Sequence, residues 1–131
     1  MDLELVEEAI TSRTKAILPV HLFGHPIDMD KLMAIAEGNN LKVIEDCAQA
    51  TGSSWRDKPL GSYGDVGCFS FFPTKNLGAA GDGGAVTTDD PRIALTIKEL
   101  SVHGMPKRYL HTNIGYNSRL CLLYTSPSPR D

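Results

Sequence analysis

Residues 15–48 read "KAILPVHLFGHPIDMDKLMAIAEGNNLKVIEDCA", and the alternation within this stretch decides the fold. "KAILPVHLFG" (15–24) is a mostly apolar run ending in glycine, which predicts a buried strand. Asp28 then stands as an N-cap to "MDKLMAIAEGNN", in which Met29, Leu32, Met33, Ile35 and Ala36 share one helical face. Gly38 and Asn39 end that helix. "LKVIEDCA" (41–48) is a second apolar strand, and it finishes in acids. Strand, helix and strand with continuous apolarity predict a covered, largely parallel α/β sheet.

The same alternation extends in both directions. "LELVEEAI" (3–10) has helical apolar spacing, and Thr11 and Ser12 close it. "VGCFSFF" (66–72) reads as a third strand and "GGAVTT" (83–88) as a fourth. Asp89, Asp90 and Pro91 then open the helix "RIALTIKELSVH" (92–103), with proline near its first position and acids at the positive end of its dipole. "CLLYTSPSPRD" (121–131) carries two Ser-Pro steps that no helix or central strand accommodates, so it is expected to be a non-native or disordered tail.

Composition bounds the function. A chain of 131 residues makes one domain or a piece of a larger one, and 41% apolar residues suit a globular core. With a formal net charge of −3, and Lys107-Arg108 as the only basic cluster, neither a nucleic acid nor an anionic membrane is an expected partner. No apolar run approaches the ~20 residues that span a bilayer. The opening "MDLELVEEAI" lacks the basic start of a signal peptide. Cys47, Cys68 and Cys121 are odd in number without C-x-x-C spacing, which points to a reducing, cytoplasmic setting.

Chemistry is expected at the carboxyl ends of the parallel strands, where α/β sheets bind ligands. "VIED" puts Glu45 and Asp46 at such an end, with Gln49 three residues on. Asp46 is either a turn cap or a carboxylate awaiting a cation. Lys75 is either a solvated loop lysine or a functional amine beside the glycines at 78, 81, 83 and 84. Ser70 alternates with Phe69 and Phe71, so its hydroxyl is either small filler or a phosphate donor. His21 and His25 are four apart, but Gly24 and Pro26 interrupt any helix that would align them, and no acid or thiol recurs nearby at ligand spacing; no metal is expected. The glycines enter a strand rather than a helix, so they form neither a dinucleotide fingerprint nor a phosphate-binding P-loop.

Four segments in order carry a family resemblance: "PVHLFGHPIDMDKLMAIAE", "VIEDCAQATGSSW", "GSYGDVGCFSFFPTKNLGAAGDGGAVTT" and "HGMPKRYLHTNIGYNSRL". Together, from about Thr14 to Leu120, they closely resemble the DegT/DnrJ/EryC1/StrS sugar aminotransferases, enzymes that use pyridoxal 5'-phosphate (PLP) on the aspartate-aminotransferase fold. The resemblance implies a three-layer, mostly parallel sheet, with residues 1–120 forming part of the PLP-binding large domain. It implies that Lys75 carries PLP as an imine, and that Asp46 binds the pyridinium nitrogen. Gln49 would sit by the ring near its phenolic oxygen, and Ser70 would donate to the phosphate. Asn117, in "GYNSRL", would reach a phosphate in the neighbouring subunit of a homodimer.

The resemblance further implies transamination from an amino acid, by family habit glutamate, to a keto sugar on a nucleoside diphosphate, feeding amino-sugar or surface polysaccharide synthesis. The family's phosphate-binding Gly-Thr turn and ring-stacking aromatic fall before the first residue, and its C-terminal domain falls after Leu120. The 131 residues are therefore expected to be an internal fragment, inactive alone. Two alternatives are a PLP-dependent sugar dehydratase of the same fold and a non-catalytic regulatory relative. The dehydratases have histidine at the position of Lys75, and intact Lys75, Asp46, Gln49, Ser70 and Asn117 speak for catalysis.

Overall fold

The computed structural model describes residues 1–118. Residues 121–131, expected to be a tail, lie outside them. Helix α1 (Leu3–Ala9) starts where Asp2 Oδ1 accepts the Glu4 N–H, and Leu3 is its buried anchor. Strand β1 (Ala16–Ile17) leads to helix α2 (Met29–Gly38), capped by Asp28 Oδ1 accepting from Lys31 N–H at 3.0 Å. Met29, Leu32, Ile35 and Ala36 are buried along one face of α2, as the spacing predicts, while Met33 sits at the margin of the core. Strand β2 (Lys42–Asp46), the short hairpin β3 (Ser54–Trp55) and β4 (Lys58–Pro59), strand β5 (Val66–Ser70), strand β6 (Gly84–Thr87) and helix α3 (Pro91–Leu100) follow.

The main sheet has the order β1-β2-β5-β6. β1, β2 and β5 are parallel, and β6 returns antiparallel to β5. No helix lies between β5 and β6, so the chain doubles back instead of crossing over. Helices α1 and α2 cover one face, with Ile17, Val43 and Leu60 in the core beneath them. The opposite face is open, and Leu18 and Val20 are 52% and 43% exposed there. Apolar side chains on both faces of the same strands are those of a sheet built for cover on both sides.

The first strand is shorter than the run 15–24 predicts. Pro19 has no N–H to continue a ladder, yet the chain still follows β2: Asp46 N–H donates to Pro19 O at 2.8 Å and His21 N–H donates to Asp46 O at 3.1 Å. The backbone then breaks into a 3₁₀ turn at Leu22–Gly24, with Phe23 in the left-handed region at φ 54°. The hairpin β3–β4 has no counterpart in the sequence reading. Its tip residues Arg56 and Asp57 both have positive φ, the geometry of a primed two-residue turn, and Asp30 at the start of α2 holds it through Trp55 Nε1 and Arg56 Nη1.

Candidate active site at the carboxyl end of the sheet

Glu45 and Asp46 are neighbours on β2, and the pleat sends them to opposite faces. Glu45 goes into the core, at 0% exposure, where it gathers the loop that precedes β5. Oε2 accepts from Gly61 N–H and Oε1 accepts from Tyr63 and Gly64 N–H, all at 2.8 Å. His21 supplies a fourth bond, 3.3 Å to Oε2. Ile27 N–H donates to His21 Nδ1, so the ring proton sits on Nε2 and is given to Glu45. Desolvation pushes the Glu45 carboxyl up, but the bonds from His21, Gly64, Gly61 and Tyr63 outweigh it and hold its pKa below the ordinary carboxylate value.

Cys47 completes this cluster. The ligand atoms of His21, Glu45 and Cys47 lie within 4.8 Å of one another, a convergence that the spacing along the chain conceals. The donor set is nevertheless already engaged. His21 Nδ1 accepts from backbone, both Glu45 oxygens are occupied, and desolvation together with Glu45 and Asp46 pushes the Cys47 thiol up to about 12. The cluster is a hydrogen-bonded clasp on the loop 61–64.

Asp46 faces the open side. Leu18, Ile44, Cys68 and Ser70 join it around a hollow of about 190 Å³ at the carboxyl ends of the parallel strands. Asp46 Oδ1 accepts the Ala48 N–H at 3.0 Å, so the residue does cap its turn; among the described residues Oδ2 accepts nothing. Ser70 Oγ accepts the Phe72 N–H at 3.3 Å, which leaves the hydroxyl proton to be donated. Gln49 sits in the turn beyond β2, and its Oε1 accepts the Phe23 N–H at 2.9 Å. That bond turns the Gln49 amide nitrogen, a donor, away from the 3₁₀ turn. Phe23 itself presents an 86% exposed ring at the same end of the sheet.

Lys75 is half-buried in the segment between β5 and β6, where its N–H donates to Phe72 O at 2.9 Å. The next residue, Asn76, donates its side-chain amide to Thr51 O at 2.7 Å and so ties this segment to the turn that follows the one holding Gln49. Among the described residues, Thr51 Oγ1 is buried without a partner. Asn117 is placed elsewhere. It pairs in antiparallel fashion with Val102 beyond α3, fixed by His103 N–H to Tyr116 O and Ser118 N–H to Ser101 O, and it lines a separate 590 Å³ cavity with Gly83, Gly84 and Ile97. Four of the five expected site residues thus lie at or beside one end of the sheet, and Asn117 stands apart. Sequence reading missed Phe23 and Asn76, because both act through contacts between distant segments.

An acidic group beside an apolar hollow at the carboxyl edge of parallel strands is where α/β sheets place ligands. The chain belongs to the DegT/DnrJ/EryC1/StrS aminotransferase family, whose family model matches residues 1–124. It is 56% identical over 115 residues, 88% of this chain and 31% of the relative, to the UDP-N-acetyl-3-dehydro-alpha-D-glucosamine 3-aminotransferase of Acidithiobacillus ferrooxidans. Among solved structures, DesV of Streptomyces venezuelae in complex with a ketimine intermediate superposes with a TM-score of 0.87 at 50% identity, covering 92% of this chain and 32% of that one. NtdA from Bacillus subtilis, solved with bound cofactor PMP, matches with a TM-score of 0.84 at 40% identity, covering 92% and 27%. The chain spans about a third of the length of the curated relatives it matches. No helix among the described residues is long and apolar enough to cross a membrane.

Proposed function

We propose that residues 1–120 form part of the large domain of a PLP-dependent transaminase that moves an amino group from an amino acid, glutamate by family habit, to a nucleoside-diphosphate-linked keto sugar. The product would serve amino-sugar or surface polysaccharide synthesis in the cytoplasm, where free thiols such as Cys47 and Cys68 persist. The relative from A. ferrooxidans supports the substrate class. The observation that carries the reading is the division of β2, which buries Glu45 in hydrogen bonds and leaves Asp46 at the rim of the open hollow beside Ser70.

The residues present fit PLP. An apolar floor suits a flat ring, one unengaged carboxylate oxygen suits a pyridinium, and a hydroxyl with a free proton suits a phosphate. Bound there, PLP supplies an electron sink for the carbanion formed at the amino donor. Asp46 would keep the ring nitrogen protonated by charge. Ser70 would donate to the phosphate, and Gln49 would turn its amide donor to the ring oxygen. Lys75 would hold the cofactor covalently and, when released, take a proton from the donor's α-carbon as general base. Asn117, on the far cavity, would serve the partner's site in a homodimer with shared active sites.

The test is chemical. Borohydride reduction of the complete enzyme with PLP should fix the label on the peptide containing "FFPTKNLG", and Lys75→Ala should retain PLP noncovalently while turnover ends. A label on Lys58 or Lys98 would reject the assignment. A panel of keto-sugar nucleotides would then give the substrate.

A further inference from the structure

The segment that carries Lys75 is held mainly by itself. Phe71 N–H donates to Gly83 O at 2.8 Å and closes its base, and Ala79 N–H donates to Phe71 O at 2.8 Å. Gly78 is pressed so closely on Pro73 that a Cβ there would stand 2.5 Å from the Pro73 carbonyl oxygen. Apart from the bonds at its own base, Phe72 N–H to Ser70 Oγ and Ala79 N–H to Phe71 O, one hydrogen bond among the described residues leaves residues 72–82, and it is the 2.7 Å bond from Asn76 to Thr51 O. Thr51 lies in the turn closed by Ser53 N–H to Ala50 O, the second of two that follow the strand ending in Asp46; Gln49 lies in the first, closed by Ala50 N–H to Cys47 O. The lysine segment is thus rooted on β5, the neighbour of the strand that carries Asp46, and away from that root one side-chain amide holds it.

We propose that Asn76 is a positioning residue for Lys75: by pinning the lysine segment to the turn after β2, it sets the point from which the Lys75 amine reaches toward the Asp46 hollow. The inference rests on the reading of Lys75 as the cofactor-bearing lysine. A lysine side chain has large rotamer freedom, so its chance of standing in a reactive position depends on how well its base is fixed. Asn76 is adjacent to Lys75, and pinning one fixes the backbone direction of the other. Losing the pin leaves the amine able to reach the site but less often there.

The experiment compares the complete enzyme with Asn76→Ala, Asn76→Asp and Asn76→Gln. After apoenzyme is mixed with PLP, covalent attachment is followed by absorbance and by borohydride trapping. Asn76→Ala and Asn76→Asp should attach the cofactor at least about tenfold more slowly, with kcat reduced in step. KM for the amino donor should stay within about threefold, and the melting temperature within about 2 °C. Asn76→Gln keeps the amide and should recover most of the rate. Attachment at the wild-type rate in Asn76→Ala, or a loss that merely follows a lowered melting temperature, overturns the proposal. Wild-type enzyme that takes no label on Lys75 would overturn the underlying reading and this inference with it, whereas a normal label on Lys75 with unaffected Asn76 variants would overturn the inference alone.

Discussion

The two faces of the central sheet differ in how fully their polar groups are engaged. Toward α2, Glu45 has both oxygens occupied, by three backbone N–H groups and His21. Toward the open side, Asp46 uses one oxygen for a turn and Ser70 has a proton to give. The residues are consecutive and chemically alike, and the pleat alone separates them. A saturated carboxylate builds structure, because any partner it lost would leave buried groups unpaired. An unsaturated one at the end of parallel strands is available to a ligand.

The largest expected effect would come from breaking the open face. Asp46→Asn keeps the shape and the Ala48 turn but removes the charge, so kcat should fall by about a thousandfold or more while the melting temperature barely moves. Glu45→Gln should do the reverse. It strips a buried charge-assisted acceptor of three N–H groups and should cost roughly 3 kcal/mol in denaturant unfolding, with little change in turnover per folded molecule. If Asp46→Asn unfolded the protein and Glu45→Gln silenced it, the assignment of the faces would be inverted.

Acid sharpens the contrast. Because the native Glu45 carboxyl lies below its ordinary value of 4.5, the unfolded chain takes up more protons in that range. The stabilisation from Glu45 is complete above pH 4.5 and is lost as pH falls through the lower native value. The melting temperature of the wild type should therefore drop more steeply below pH 4.5 than that of Glu45→Gln. Next in size is Gly61→Ala. Gly61 has φ +83°, and a Cβ there would stand 2.4 Å from Phe69 Cζ, so a loss of roughly 2 kcal/mol is expected on unfolding. The smallest change belongs to Thr51→Val, which replaces a buried, unpartnered hydroxyl by a methyl and should leave stability level or raise it by up to about 1 kcal/mol.

Much of this was legible in the residues. The helical face of α2, its Asp28 cap, β2, β5 and the opening of α3 at Asp89-Asp90-Pro91 follow from period and helix-start chemistry that act within a few positions. What was hidden is long-range. Glu45 reads like a twin of Asp46, and its partners at 61–64 are backbone groups without any sequence mark beyond the two glycines. The buried Val43 two residues earlier was the available sign, since the same pleat carries Glu45 inward. His21 looked like half of a failed histidine pair because its true partners, at 27 and 45, belong to other segments. The hairpin at 54–59 escaped because its turn is Arg56-Asp57 rather than a glycine pair, and the end of the first strand was masked by apolar residues continuing past Pro19. The site roles came from resemblance, and the fold adds which residues share a face.

Ser70 and Gly84 stand opposite one another across the β5–β6 ladder, so residues 71–83 leave and re-enter the sheet at a single rung. An insertion between them lengthens a loop, at a cost that grows only with the logarithm of its length, and leaves every strand in register. One added residue within β2 would instead exchange Glu45 and Asp46 between the faces. A change of length is thus cheap for the sheet around the lysine segment and costly within β2. What limits it near Lys75 is the anchor of Asn76 on Thr51, which an added residue would displace.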